Sequence, residues 1–176
     1  MDEIKKSIRT IPNFPKQGIM FRDITTLLKD PKVFKKTLDY LAIRYKGRRI
    51  DKVVGIEARG FIFGGALAYL LGVGFVPIRK KGKLPGETTS VSYELEYGTD
   101  TVEVHTDAIS PGENVLVIDD LVATAGTCLA ACQLVEKLGG KVVECGLIVD
   151  LPDLKGTERL RNRGYDVFSL IDFEGD

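Results

Sequence analysis

The stretch Val115-Leu116-Val117-Ile118-Asp119-Asp120-Leu121-Val122-Ala123-Thr124-Ala125-Gly126-Thr127 decides the reading of this chain. Four aliphatic residues run into two adjacent acids, a loop of small residues follows, and a helical pattern starts behind it. A short apolar run bounded in this way is a strand buried on both faces, as in a parallel sheet. Acids at its C-terminal end can accept hydrogen bonds from sugar hydroxyls. The turn beyond offers backbone N–H groups, hydroxyls and the positive end of a helix dipole to a phosphate. A phosphorylated sugar suits this order of parts. Two acids after a strand would, taken alone, be an ordinary strand–loop–helix junction. The stretch is neither a Walker A loop nor a Gly-x-Gly-x-x-Gly dinucleotide fingerprint.

Downstream, the pattern predicts a helix over 127–138 that stops at Gly139-Gly140, a buried strand over 142–149, a short helix over 157–162 and a last strand over 167–171. Upstream, Pro111-Gly112 is a turn, and 101–105 alternates like an antiparallel, half-exposed strand. Residues 52–56 read as a buried strand, 61–71 as a helix and 75–78 as another buried strand. Asp30-Pro31 opens the clearest helix, with an N-cap and a proline at the first helical position. Its apolar residues Phe34, Leu38, Leu41, Ala42 and Tyr45 recur at helical spacing until Gly47. Strands alternating with helices predict an α/β fold: a mostly parallel twisted sheet flanked by helices. Ligands of such sheets sit outside the strand C-termini, where 57–60, 79–83 and 119–127 form three loops.

At 176 residues the chain reads as one domain. Its 25 basic and 25 acidic residues cancel, which argues against a partner bound through net charge, whether nucleic acid or anionic lipid. Three cysteines without a Cys-x-x-Cys pair fit a reducing compartment, and Cys128 and Cys132, in phase with Val135, read as small core residues. The N-terminus lacks the apolar stretch of a signal peptide. The uncharged run from Gly60 to Ile78 reaches the length of a membrane span, yet Gly72-Val73-Gly74 and Pro77 divide it better into helix and strand.

Other chemistry gathers at the strand ends. Arg79-Lys80-Lys81-Gly82-Lys83 puts four cations after a buried strand, either as a solvated loop or as a flap for pyrophosphate. Arg59, between a strand and an uncharged helix, reads as a bidentate phosphate fork. Phe14, Met20 and Phe21 could simply staple the N-terminal segment to the core. His105, the only histidine, lies on the alternating strand away from every strand-end loop, so no catalytic role is expected of it.

The 115–127 stretch resembles the signature of the type I phosphoribosyltransferases. The resemblance implies that Asp119 and Asp120 take the ribose hydroxyls of 5-phosphoribosyl-1-pyrophosphate, and that Ala123, Thr124, Ala125, Gly126 and Thr127 cradle its 5-phosphate. Four further segments resemble the adenine-using branch of that family. Phe14-Pro15-Lys16-Gln17-Gly18-Ile19-Met20-Phe21-Arg22-Asp23-Ile24 is similar to a base-binding hood spanning about residues 1–30, which implies Phe21 and Arg22 as base contacts. Gly55-Ile56-Glu57-Ala58-Arg59-Gly60-Phe61 resembles the pyrophosphate loop, with Arg59 in it. Arg79 to Gly86 resembles the start of a mobile flap over about 81–98, implying Lys80, Lys81 and Lys83 as donor contacts. Leu95-Glu96-Tyr97-Gly98 resembles the flap segment that carries the acid–base glutamate, Glu96, beside Tyr97. One departure stands out: Ala125 occupies a position where many relatives carry glycine, and alanine fits only if the backbone there avoids the left-handed region.

The reaction so implied transfers 5-phosphoribose to adenine N9, giving AMP and diphosphate, a step of purine salvage. The resemblance also implies Mg²⁺ held mainly by the donor's diphosphate and water, a homodimer, a cytoplasmic location, and no nucleic-acid or membrane partner. Two rivals stay open: a transferase for 6-oxopurines, whose site wants a donor where adenine wants an acceptor, and a regulator that senses the same donor and binds nucleic acid.

Overall fold

The structure, a computed structural model, describes residues 1–95 and 98–175. It opens with a small N-terminal unit: α1 (Asp2–Ser7), β1 (Arg9–Pro12), β2 (Met20–Asp23) and α2 (Thr25–Leu28). Strands β1 and β2 pair antiparallel from Arg9↔Asp23 to Pro12↔Met20, within the segment for which the resemblance implies a hood. Helix α3 (Pro31–Tyr45) follows, started by the Asp30 carboxylate, which accepts hydrogen bonds from the Lys32 and Val33 N–H groups.

The rest builds one seven-stranded sheet: β3 (Lys52–Ile56), β4 (Gly74–Lys80), β5 (Thr88–Glu94), β6 (Thr99–His105), β7 (Asn114–Val122), β8 (Lys141–Asp150) and β9 (Val167–Asp172). Their spatial order is β5-β6-β4-β3-β7-β8-β9. From β4 to β9 the neighbours run parallel, and the β5–β6 hairpin adds two antiparallel strands at one edge. Helices α4 (Gly60–Leu71), α5 (Gly126–Lys137) and α6 (Gly156–Asn162) supply the crossovers. This is the expected α/β architecture. The uncharged run divides as predicted, with Gly72 left-handed (φ 70°) at the end of α4. Among the described residues no helix is long and apolar enough to cross a membrane.

The central strands separate two cores. On one side Val115 and Val117 pack under α5 with Ala131, Leu134 and Val135. On the other, Leu116 and Ile118 pack with Leu41 and Tyr45 of α3 and with Phe63 and Leu67 of α4. This double burial is why β7 is apolar at every position from Val115 to Ile118.

Three expectations need correction. Strand β7 continues to Val122, so Asp119 and Asp120 lie within the ladder and not past its end. The 81–98 segment, in which the sequence suggested no strand, contains all of β5, paired with β6 from Thr88↔His105 to Glu94↔Thr99. Its signal was the alternation of Val91 and Tyr93 with serines, two apolar residues that both pack toward the α5 core. Strand β6 is not half-exposed: Val102, Glu103 and Val104 are all buried. Glu103 turns its carboxylate under the basic loop, accepting hydrogen bonds from the N–H groups of Gly82 (3.0 Å), Lys83 (3.2 Å) and Leu84 (3.1 Å).

Candidate active site

Alternation along β7 sends its two acids to opposite faces of the sheet. Asp119 continues the Val115–Val117 side and lines a cleft of about 150 Å³ whose other wall is the loop from Ala123 to Thr127. Asp120, 4 % exposed, continues the Leu116–Ile118 side and accepts a 2.5 Å hydrogen bond from Arg59 Nε. A buried carboxylate requires such a partner. The paired acids of the sequence are therefore one cleft acid and one acid already bound to a cation.

Asp119 is half-buried at a crowded strand end. Its Oδ1 lies so close to Gly60 that a Cβ there would stand 2.9 Å away, which is why the residue opening α4 has no side chain. Burial first, and then the neighbouring charge of Asp120, hold its pKa well above the usual carboxylate range.

The loop for which the resemblance implies a phosphate cradle stands at a helix start. Helix α5 begins at Gly126 directly after the loop, and its first N–H groups and dipole face the cleft that Thr124 and Thr127 line. The correction is at Ala125, which adopts the left-handed conformation (φ 67°, ψ 5°) that alanine was expected to avoid. That conformation costs an L-residue about 1–2 kcal/mol. Burial of the Ala125 methyl in the α5 core offsets part of it.

The loop is held from outside by groups that the sequence reading did not single out. Arg159 Nη1 donates a 2.6 Å hydrogen bond to the Thr124 carbonyl. Gly156 packs against the Ala123 carbonyl so closely that any Cβ would collide with it. Thr157 donates to Asp150 at 2.9 Å and ties the start of α6 to the end of β8. From the flap side, Tyr93 covers Gly126, where a Cβ would meet the ring at 2.9 Å. Tyr93 carried a signal in its alternation with Val91; Arg159, on a short helix remote in sequence, carried none.

The cations of 79–83 are not all open to a ligand. Arg79 donates to Glu57 through Nε and Nη2 at 3.3 and 3.2 Å, and the Lys80 N–H adds a third bond to that carboxylate at 2.9 Å. Lys80 Nζ donates to Asp100 and to the Tyr93 hydroxyl. Lys81 and Lys83 are exposed. Glu57 and Asp100 thus hold the loop's first two cations against the sheet.

A second cavity, of about 320 Å³, opens in the hood. Ile11, Phe14, Phe21 and Ile24 give it apolar walls, and Arg59 forms its border toward Asp120. Phe14 and Phe21 meet edge to face at 5.2 Å. Arg22 also lines this cavity, with its guanidinium donating to Thr10 Oγ1 at 2.8 Å and stacked 4.6 Å above the Phe173 ring. Arg59 was expected as a phosphate fork; the structure places it between the apolar cavity and the second acid of β7. Glu96 and Tyr97 lie outside the described residues. Leu95, immediately before them, lines the cleft at the start of α5.

Comparison with known proteins agrees with this layout. The family described as the phosphoribosyl transferase domain matches residues 23–175. The adenine phosphoribosyltransferase of Methylobacillus flagellatus is 63 % identical over 171 residues, 97 % of each chain. The crystal structure of the adenine phosphoribosyltransferase from Thermoanaerobacter pseudethanolicus superposes with a TM-score of 0.94 at 53 % identity, covering 98 % of this chain and 99 % of that one. The Saccharomyces cerevisiae enzyme, crystallised with an imino-altritol bisphosphate and adenine, superposes at 0.90 with 42 % identity over 97 % of both chains. By these similarities over nearly its whole length, the chain belongs to the phosphoribosyltransferase family, in its adenine phosphoribosyltransferase branch.

Proposed function

We propose that the protein transfers the 5-phosphoribosyl group of 5-phosphoribosyl-1-pyrophosphate to N9 of adenine, releasing diphosphate and AMP. The observation that carries this reading is the pairing of two cavities around β7. One is a cleft at the start of α5, where helix N–H groups suit an anion, the other an apolar cavity walled by Ile11, Phe14, Phe21 and Ile24, and the Arg59–Asp120 pair stands at the border of that cavity. The yeast relative, crystallised with a sugar-bisphosphate mimic and adenine, supports the same assignment.

In this reading the 5-phosphate lies on the N–H groups and hydroxyls of 123–127, and the ribose hydroxyls donate to Asp119. Asp120 contributes through the carboxylate that it shares with Arg59. The purine packs on Phe21 inside the hood. The diphosphate lies toward the 57–60 loop and the exposed Lys81 and Lys83, with Lys80 as a reserve cation once its partners yield. As the bond from the anomeric carbon to the diphosphate lengthens, positive charge builds on the ribose ring beside Asp119. A carboxylate that resists ionisation in the free protein then becomes a better anion, so the interaction strengthens as the reaction proceeds. Glu96 takes or relays the N9 proton.

Mg²⁺ fits the donor set: Asp119 is the cleft carboxylate without a cationic side chain committed to it, and hard oxygen ligands come from diphosphate and water. When bound, the ion neutralises charge on the leaving group. We also assign the protein to a reducing cytoplasm, because its three cysteines are free and buried. We assign a homodimer as well, a reading supported by the apolar side chains exposed on α3 and α4, Ile43 (72 %) and Tyr69 (85 %) foremost. The test of the whole reading is product formation with each purine base in turn, in the presence of Mg²⁺ and the donor.

A further inference from the structure

The three cysteines, separated in sequence, converge behind the phosphate loop. Cys128 and Cys132 lie one turn apart on α5, and Cys145 faces them from β8. The three sulfurs lie within 4.8 Å of one another, with Cys132 Sγ and Cys145 Sγ 3.4 Å apart. Thiolates bound to one ion at about 2.3 Å stand about 3.8 Å from each other, so small side-chain rotations would bring all three onto a common centre. Cys128, itself buried, is also among the residues that line the cleft at the start of α5, so the cluster lies directly behind that cleft.

Charge decides what could bind. The cluster is buried among Ala131, Val135, Leu147 and other apolar residues. The charged side chain that acts on Cys132 is Glu136, and Glu144, the acid beside Cys145, is itself paired with Arg44 and Arg48. Any complex that leaves net negative charge there is disfavoured chiefly by desolvation, with Glu136 adding to it. Three thiolates around a monovalent soft cation leave two negative charges, and around Zn²⁺ they leave one, with a fourth coordination position to fill. A trivalent, three-coordinate thiophilic centre leaves none and needs no fourth ligand.

We propose that Cys128, Cys132 and Cys145 form a binding site for trivalent arsenic. The exchange balances without oxidation or reduction: As(OH)₃ and three thiols give the tris-thiolate and three waters, each thiol proton leaving with a hydroxide. The sulfurs are already gathered, so the third As–S bond forms without unfolding, unlike at scattered thiols.

The test is intact mass spectrometry under native conditions. The folded protein, reduced with a phosphine, is incubated with sodium arsenite, and absorption of the sulfur–arsenic bond is followed in parallel. The expected product carries one arsenic and has lost three hydrogens. Cys145→Ala should weaken uptake at least tenfold, with folding checked by circular dichroism. Cys128→Ala serves the same purpose if the first variant is unstable. No adduct, an adduct that has lost only two hydrogens, or displacement of arsenic by equimolar Zn²⁺ or Cu⁺ would overturn the proposal. None of these readouts depends on turnover, so they stand apart from the transferase assay.

Discussion

Asp119 and Asp120 are adjacent in the chain but face opposite environments, so the same substitution should act differently at each. Asp119→Asn removes an acid whose folded-state pKa is raised above its unfolded value. Below the unfolded pKa, near 3.9, both states hold the proton and the acid costs nothing. Between that value and the raised folded pKa the unfolded chain ionises while the native state keeps its proton, so stability falls across this window and stays lower above it. Asparagine escapes this loss. Asp119→Asn should therefore melt at a higher temperature than the parent at pH 7, and the gain should vanish near pH 3, while use of the ribosyl donor falls by at least about tenfold. Asp120→Asn instead breaks the pair with Arg59 and should lower the melting temperature. Thermal scans at both pH values, with donor KM and kcat, separate the two roles. A destabilised Asp119→Asn would contradict the electrostatic picture of the cleft. Glu96→Gln, argued from resemblance alone, should lower kcat by about 10²–10⁴-fold with both KM values little changed. Unchanged kcat would remove Glu96 from the chemistry.

At the scale of elements, the phosphate loop depends on α6, which touches neither cavity. Arg159 caps the Thr124 carbonyl and Gly156 backs the Ala123 carbonyl. Arg159→Ala should raise donor KM about three- to tenfold, the effect of one charged hydrogen bond at an exposed site, with adenine KM unchanged. Gly156→Ala forces a Cβ into a carbonyl and should cost about 1–3 kcal/mol in urea unfolding as well as donor affinity. An Arg159→Ala enzyme with native donor KM would mean the loop holds its shape unaided. These dependences also mark where sequence reading stops. Strands β3, β7 and β8 were legible because burial on both faces leaves predominantly aliphatic runs. Strand β5 was not, because two apolar residues among serines and threonines give little period, and its place in the sheet comes from pairing with β6. The acids of β7 were found by type and position, but their division between two faces follows from how far the strand runs. Ala125 shows the limit of residue preference: the loop imposes φ 67° on a residue that disfavours it.

For the whole molecule, acid stability and assembly follow from groups outside the chemistry. Asp23, at the end of the hood, has its pKa pulled down to about 2 by the Thr25 hydroxyl and then by Arg9. A depressed carboxylate contributes stability that is present above its unfolded pKa and lost as pH falls through the folded one. The hood should therefore loosen between about pH 4 and about pH 2, and Asp23→Asn should flatten that part of the stability profile; an unchanged profile would place the acid transition elsewhere. Tyr69→Glu, on the exposed face of α4, should shift the sedimentation coefficient from dimer to monomer, and a parent protein that sediments as a monomer would refute the dimer assignment. The central claim is that the cleft at the start of α5 and the apolar N-terminal cavity around β7 join a phosphoribosyl group to a 6-aminopurine. The most direct measurement offers adenine, hypoxanthine and guanine separately to the purified protein with Mg²⁺ and 5-phosphoribosyl-1-pyrophosphate, and quantifies nucleotide product. A mispaired 6-substituent leaves buried polar groups unsatisfied at about 1–3 kcal/mol each, so AMP should form at least about tenfold faster than either 6-oxopurine nucleotide. Equal or faster formation of a 6-oxopurine nucleotide would contradict the assignment.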